Sequence, residues 1–290
     1  MSETVLIRGG GDLATGVALR LFRAGFPIII SELPRPLAVR RTVAFAEAIY
    51  AGSIEVEKVC GQRIEDPGEA SDLITRGKIP VLVDPEASLI KDASTSDLNI
   101  ICVVDARLTK RPPESLSFSG NQNAQGMSLR GGQHSPMIIG LGPGFIAGLN
   151  CHAVVETVRG HTMGRVYWKG GALPDTNQPE GDPRRVLRAP AAGRFIARIE
   201  IAQHVESGQM LAEVEDQHGS MHEIKSPFSG IVRGMLHSGL DVQAGLKVGD
   251  VDQRDDPKLC ELVSDKSLAV GGGVLEAILG FHAAVTDSRG

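Results

Sequence analysis

The chain has 290 residues, a hydrophobic content of 42% and a formal net charge of -5. This length predicts about two domains, and the composition is that of an ordinary globular protein. A negative charge without a basic stripe argues against a nucleic-acid partner, because such partners are bound by clustered Lys and Arg. The sequence has no apolar stretch long enough to span a bilayer, and Glu3 stands where a signal peptide is positively charged. We therefore predict a cytoplasmic protein with no membrane partner.

The first third of the chain alternates strand and helix patterns. Residues 4–8 form a short apolar strand, residues 13–24 have helical periodicity that stops at Gly25, and residues 27–31 form a second buried strand. Further patterns predict helices at 36–52 and 68–76 and strands at 79–83 and 100–104. This alternation is typical of a parallel sheet with helices on both faces.

A polar segment at about 108–135 interrupts the alternation. It is rich in Gly and Ser and has no periodicity, which predicts a long loop or a disordered insertion. The patterns that follow predict strands at 137–140 and 164–169, a helix at 146–159 closed by Gly160, and a helix at 266–281, interrupted or preceded by a triple glycine at 271–273.

An internal repeat occupies the third quarter of the chain. Residues 188–214 can be laid over residues 225–251 without a gap, at an offset of 37 residues. Pro190 then falls on Pro227 and Gly193 on Gly230. Short strands separated by Pro and Gly predict a small all-β unit of two similar halves.

A glycine loop, "RGGGDLATG", joins the first strand to the first helix. It fits the G-x-G-x-x-G/A pattern of dinucleotide-binding loops, and an acid follows at the end of the second strand, where it would bind a ribose hydroxyl. The alternative is a tight turn that binds nothing, with Asp12 capping the helix in place of a phosphate. The candidate nucleotide-binding residues here are Gly9, Gly10, Gly11, Asp12, Ala14, Thr15 and Glu32.

A second glycine loop, "GLGPG", contains Gly140, Gly142 and Gly144. Glycines allow close approach of backbone to ligand, and loops at the carboxyl ends of parallel strands gather where such sheets bind ligands. We therefore expect both glycine loops to line one crevice. Arg35, Arg40 and Arg41 are candidates for a phosphate contact, although the adjacent pair cannot share one face of a helix.

Two residues are candidates for catalysis, Glu156 and His161. On the predicted helix, His152, Glu156 and Arg159 share one face, and His161 follows its end. A histidine beside a carboxylate can move protons. The alternative is a solvated helix face with a favourable charge pair.

The sequence predicts no metal site. His218 and His222 lie beside a turn without a third ligand. The cysteines are far apart, without a C-x-x-C pair, and are expected to be buried free thiols. They are Cys60, Cys102, Cys151 and Cys260.

The β unit resembles a biotinyl or lipoyl carrier domain, with "APAAG" and "SPFSG" in corresponding places. Carriers hold a lysine at the hairpin between their halves, whereas here "EDQHGS" has none and Gly219 lies near that place. The resemblance therefore implies the carrier fold without covalent biotin or lipoate.

The whole chain resembles the YqeB-type accessory proteins of the selenium-dependent molybdenum hydroxylase system. The motifs occur in the expected order: "RGGGDLATGVALRLFRAGF", "PLAVRRTVAFAEAIYAG", "IIGLGPGFIAGLNCHAVVETVRGHTMGRV", "VLRAPAAGRF", "GLKVGDVDQR" and "SDKSLAVGGGVLEAIL". The polar insertion replaces a motif resembling K-x-N-x-G-T, and Asn177 stands where glycine is expected. The resemblance implies a role in maturing molybdenum hydroxylases and gives no reaction.

These observations predict an α/β protein: a Rossmann-like doubly wound parallel sheet (1–183), a biotinyl/lipoyl-like barrel-sandwich unit (184–254) and a C-terminal helical segment (255–290). The ligand would be NAD(P) or a molybdopterin dinucleotide, and the partner a molybdenum hydroxylase or its cofactor. An NAD(P)-dependent oxidoreductase with His161 or His152 as proton carrier, and a scaffold without ligand, are the alternatives. The sequence leaves homo-oligomerisation open.

Overall fold

A computed structural model describes residues 3–90, 98–109, 136–174, 181–254 and 256–287, with the backbone alone for 282–287. Its first eleven strands are β1 (Glu3–Arg8), β2 (Ile28–Glu32), β3 (Ser53–Val56), β4 (Val59–Ile64), β5 (Ile79–Val83), β6 (Asn99–Asp105), β7 (Met137–Leu141), β8 (Ile146–Ala147), β9 (Ala153–Val155), β10 (Val166–Tyr167) and β11 (Gly170–Gly171). The α-helices are α1 (Asp12–Arg23), α2 (Ala48–Ala51), α3 (Ala70–Thr75) and α4 (Asp265–Asp287).

The largest sheet has nine strands in the order β10-β9-β7-β6-β1-β2-β5-β4-β3. Neighbouring strands from β9 to β4 are parallel, whereas β10 and β3 pair antiparallel at the two edges. The central strand β1 places Val5 opposite both Ile28 and Cys102. Because its residues are buried on both faces, β1 reads as a continuous apolar run.

Helices α1 and α4 pack together against one face of this sheet. Val17 and Leu21 of α1 and Val274 of α4 are fully buried in the same core. The two helices approach so closely that a Cβ at Gly16 would lie only 2.5 Å from Ser267. The triple glycine at 271–273 lies inside α4 and does not interrupt it. Gly271 packs against α1, where a Cβ would lie only 2.6 Å from the Gly16 carbonyl oxygen.

The repeat forms two four-stranded antiparallel sheets. Its strands are β12 (Val186–Arg188), β13 (Gly193–Ala197), β14 (His204–Val205), β15 (Met210–Glu215), β16 (Met221–Lys225), β17 (Gly230–Met235), β18 (Asp241–Val242) and β19 (Lys247–Asp252). The sheet orders are β12-β19-β17-β14 and β16-β15-β13-β18. Strands β13, β14 and β15 recur 37 residues later as β17, β18 and β19, so each sheet combines both halves. The strands therefore recur at the same offset as the sequence repeat.

The fold class predicted from the sequence is wrong. The large sheet is mixed rather than parallel, and antiparallel sheets of two, four and four strands accompany it, which is not a Rossmann-like sheet followed by a biotinyl/lipoyl-like barrel. Two helices needed for double winding are also missing. Residues 36–52 form a loop with short 3-10 turns and α2, and residues 146–159 contain β8 and β9.

Both errors have physical causes. The Val39 carbonyl accepts the Met235 N–H at 2.8 Å, so it does not serve a helix. A strand buried on both faces, such as β9, has the same apolar pattern as a buried helix.

Of the predicted insertion, residues 110–135 lie outside the described residues. Across the described part of the chain, no helix has the length and hydropathy required to traverse a bilayer.

Candidate functional site

A cleft of about 640 Å³ opens at the carboxyl ends of β1, β2, β5 and β6. Arg8, Glu32, Asp84 and Ala106, which end or directly follow these strands, line it. The chain leaves β1 toward β2 on one side, while β6 lies on the other, and such a reversal of strand order opens a crevice between the departing loops. The volume is within the range of small-molecule sites.

The first glycine loop (residues 9–12) has a packed side and an open side. Gly9 has φ +92°, which favours glycine. A Cβ at Gly10 would lie 2.8 Å from the Ala46 nitrogen, whereas a Cβ at Gly11 would meet nothing within 4 Å. The Thr15 hydroxyl donates to the Gly10 carbonyl at 3.3 Å, which fixes the packed side. The loop therefore presents Gly11 to the cleft on a rigid support.

Glu32 ends β2 beside this loop and is only 8% exposed. Its Oε1 accepts the Gly10 N–H at 2.7 Å, and its Oε2 accepts the Leu33 N–H at 2.5 Å. Burial raises the pKa of Glu32, although both backbone hydrogen bonds oppose the shift. The carboxylate thus holds the loop in place and lines the cleft at the position expected for a ribose contact.

Asp12 does not cap α1, contrary to one prediction. Gly11 occupies the N-cap position, and no side-chain cap bond is formed there. Asp12 Oδ2 instead accepts Arg40 Nη1 at 3.1 Å, and its Oδ1 accepts the Ser267 hydroxyl at 2.6 Å. The Asp12 carboxylate therefore links the glycine loop to Arg40 in the wall of the cleft and to Ser267 on α4.

Two arginines at the inner end of the cleft share one carboxylate. Arg8, which is 2% exposed, donates through Nη1 to Asp105 at 3.4 Å, and Arg107 donates through Nη2 to the same Oδ2 at 2.7 Å. The Arg8 Nε is buried and has no partner in the described structure. Burial, followed by nearby Arg107, lowers the pKa of Arg8. The carboxylates of Asp105, Glu86 and Asp84 oppose this lowering, so anions as well as cations surround Arg8.

Of the three arginines that follow β2, only Arg40 lines the cleft. Arg40 is 8% exposed and donates through Nη2 to the carbonyls of Leu259 and Leu262. Arg41 turns toward Met235, and Arg35 toward Gly239. The adjacent arginines point to different partners, although neither lies on an α-helix and neither is merely solvated.

The second glycine loop (residues 140–144) does not line this cleft. A Cβ at Gly140 would lie 2.1 Å from the Phe145 ring, and one at Gly142 would lie 2.5 Å from the Thr157 hydroxyl. Gly144 has φ +102°. The glycines at 140 and 142 make room for packing within this segment, and the expectation that both loops share the cleft is wrong.

The candidate catalytic residues also lie outside the cleft. Glu156 is fully buried and accepts three backbone N–H groups at 2.8 Å, from Thr157, Val158 and Leu173. His161 is exposed. No helix face joins them, because they follow β9 in a loop.

His222 and three of the cysteines have hydrogen-bond partners or burial that fit a structural role. His222 hydrogen-bonds Asp216 at 2.8 Å and holds the pKa of Asp216 at about 2. Burial raises the pKa of the Cys102, Cys151 and Cys260 thiols. Within the described ranges, no group of three or more His, Cys, Asp or Glu side chains is arranged to hold a metal ion.

Sequence reasoning missed three cationic residues of the cleft, Arg8, Arg107 and Lys247. Arg8 gives the clearest signal, because a charged residue at the end of an otherwise apolar buried strand needs a partner or a ligand. Lys247 comes from β19 in the repeat unit, and sequence spacing contains no sign of that approach.

No protein-family model matches the chain. Solved structures with partial similarity include an aspartoacylase family protein from Mesorhizobium loti, 14% identical over 87% of this chain and 85% of that one, with a TM-score of 0.27. The ectoine utilization protein EutE (DoeB) from Ruegeria pomeroyi, in a product-bound structure, is 10% identical over 87% of this chain and 58% of that one, with a TM-score of 0.23. We draw no conclusion on fold or activity from similarities of this size.

A curated relative is the uncharacterized protein YqeB from Escherichia coli (strain K12). It is 43% identical over 281 residues, which are 96% of this chain and 47% of YqeB. The chain therefore spans about half the length of this relative. Over nearly all of its own length, the chain is similar to YqeB, whose name states no activity.

Proposed function

We propose that the cleft binds a nucleotide, NAD(P) or a molybdopterin dinucleotide. The observation that carries the proposal is the open side of the first glycine loop at Gly11, in a cleft that the buried carboxylate of Glu32 and the guanidinium of Arg8 also line. Phosphate binding suits backbone approaching at a glycine next to a helix N-terminus, because the helix dipole favours an anion there. Arg8 and Arg107 add the positive charge.

The other parts of a nucleotide also find complementary groups. A ribose hydroxyl donates to a carboxylate, and Glu32 lines the cleft with its oxygens held by two backbone N–H groups. Leu33 and Leu37, which are nearly half exposed, line the outer part and offer an apolar surface to a base. Asp12 supports the site indirectly, since it holds Arg40 in the wall.

We further propose that the chain assists the maturation of selenium-dependent molybdenum hydroxylases, with a hydroxylase or its cofactor as partner. The motif resemblance supports this pathway, and the similarity to YqeB supports the resemblance itself. The oxidoreductase alternative gains no support from Glu156 or His161, because neither lines the cleft. Affinity capture of the tagged chain should recover a molybdenum hydroxylase, and repeated recovery of none would contradict the pathway.

Titration calorimetry tests nucleotide binding directly. NAD⁺, NADP⁺ and a molybdopterin dinucleotide are titrated into the full chain and into an Arg107→Gln variant, which removes a cation from the cleft. The control is Arg76→Gln, at an exposed arginine directly after α3 that is paired only with Asp72 in the described structure. We expect at least one ligand to bind, about tenfold more weakly to the Arg107 variant, which corresponds to about 1.4 kcal/mol. Failure of all three to bind at millimolar concentration overturns the proposal.

A further inference from the structure

The repeat unit is fixed to the outer wall of the cleft. The Met235 N–H on β17 donates to the Val39 carbonyl at 2.8 Å, and Arg41 Nε donates to the Met235 carbonyl at 2.8 Å. Val39 packs on Gly234, where a Cβ would come within 2.8 Å of its methyl carbon. Because Val39 itself lines the cleft, the repeat unit and the glycine-loop sheet together define the ligand space.

One residue of the repeat unit reaches into this space. Lys247, the first residue of β19, lines the cleft and is 38% exposed at its side chain. Its ammonium donates to Asp250 at 2.7 Å. An ammonium has three N–H donors, so this hydrogen bond leaves capacity for a ligand.

Asp250 does not require Lys247 as a counterion. The carboxylate is fully buried and pairs with Arg185 at 2.7 Å and with Arg233 at 3.2 Å. Lys247 is therefore the third cationic side chain paired with this one carboxylate. An anionic group at Lys247 would therefore be attracted electrostatically.

We propose that Lys247 binds a second anionic group of the cleft ligand, beyond the phosphate held at the first glycine loop. The inference rests on the proposed nucleotide binding and assigns one residue to the second phosphate group that the proposed dinucleotides carry. The repeat unit thereby serves as one wall of the binding site. Lys247 is a specificity-determining residue, because it separates diphosphates from monophosphates.

The test compares AMP with ADP, and CMP with CDP, by titration calorimetry on the full chain. Lys247→Gln should weaken binding of both diphosphates about tenfold and of both monophosphates less than twofold, since an ammonium-phosphate pair is lost only with the longer ligand. Lys247→Arg retains the charge and should retain the diphosphate affinity. Lys258→Gln, at an exposed lysine that does not line the cleft, should behave like the unaltered chain.

Two results would overturn the inference, and they are distinguishable. If nucleotides bind and Lys247→Gln weakens diphosphates no more than monophosphates, the role of Lys247 is wrong while nucleotide binding stands. If neither monophosphates nor diphosphates bind the unaltered chain, the inference is wrong, and the titrations with NAD⁺, NADP⁺ and a molybdopterin dinucleotide decide separately whether nucleotide binding stands. Unfolding curves of each variant show whether a lost affinity reflects a lost fold.

Discussion

The two glycine loops have similar sequences and opposite surroundings. At residues 9–12, Gly11 opens into a cleft with charged walls, and the loop is held from behind by Glu32. At residues 140–144, the space beside Gly140 and Gly142 is filled by Phe145 and Thr157. A glycine motif therefore indicates only that another group lies close to the backbone. Tertiary structure decides whether that is a ligand or the protein's own side chains.

The comparison is tested most strongly by Gly140→Ala. The added methyl group would overlap the Phe145 ring in a buried strand, and we expect a loss of about 3 kcal/mol in the free energy of unfolding. Chemical denaturation measures it. Gly272→Ala is the control, because its methyl group meets nothing within 4 Å, and a helix interior gains up to about 1 kcal/mol from the change. A loss below about 1 kcal/mol at Gly140 would show that this loop is not packed as described.

In contrast to Gly140→Ala, Gly11→Val should weaken ligand binding more than it lowers stability. Its φ is -67°, which valine tolerates, and a Cβ there meets nothing within 4 Å, so the free energy of unfolding should fall by only about 1 kcal/mol, because valine is a poorer N-cap residue than glycine. Binding of any nucleotide found by calorimetry should weaken at least about tenfold, because a branched side chain keeps a phosphate from the backbone. Unchanged affinity in a folded variant would remove Gly11 from the site.

The loops should also differ in their response to pH. Near the second loop, His152 Nδ1 accepts the Ile138 N–H at 2.8 Å, and burial lowers the pKa of His152 below its ordinary 6.5. The native state then binds a proton less readily than the unfolded state, so stability is lost as pH falls below about 6.5. Relative to His152→Gln, the unaltered chain should lose unfolding free energy between pH 7 and 5. Parallel pH profiles of the two proteins would contradict this.

Glu32, near the first loop, should respond in the opposite direction. Its raised pKa means that the native state binds a proton more readily than the unfolded state, whose ordinary value is 4.5. Its contribution to stability is therefore complete below pH 4.5 and is lost as pH rises through the raised pKa. Denaturation of the unaltered chain and of Glu32→Gln at pH 4 and 8 measures the difference. A relative gain for the unaltered chain at pH 8 would refute the sign.

Local patterns predicted the elements that local forces specify. β1, α1 and β2 lie within one or two residues of the predicted bounds, and the 37-residue repeat recurs in strands of both halves. The patterns failed at 36–52 and 146–159, where contacts with distant segments override local preference. The mixed sheet and the return of α4 to α1 depend on pairings between residues far apart in sequence.

The residues of the candidate site likewise include some that local sequence predicted and some that it did not. The sequence by itself determined that residues 9–12 form a glycine turn between strand and helix and that Glu32 ends the next strand, because these depend on backbone conformation and chain order. Arg8 directly precedes that turn in the chain, whereas only the tertiary structure brought Arg107 and Lys247 to it and closed the second loop around Phe145. Charge partners and packing depend on which distant segments meet, and spacing along the chain does not encode that.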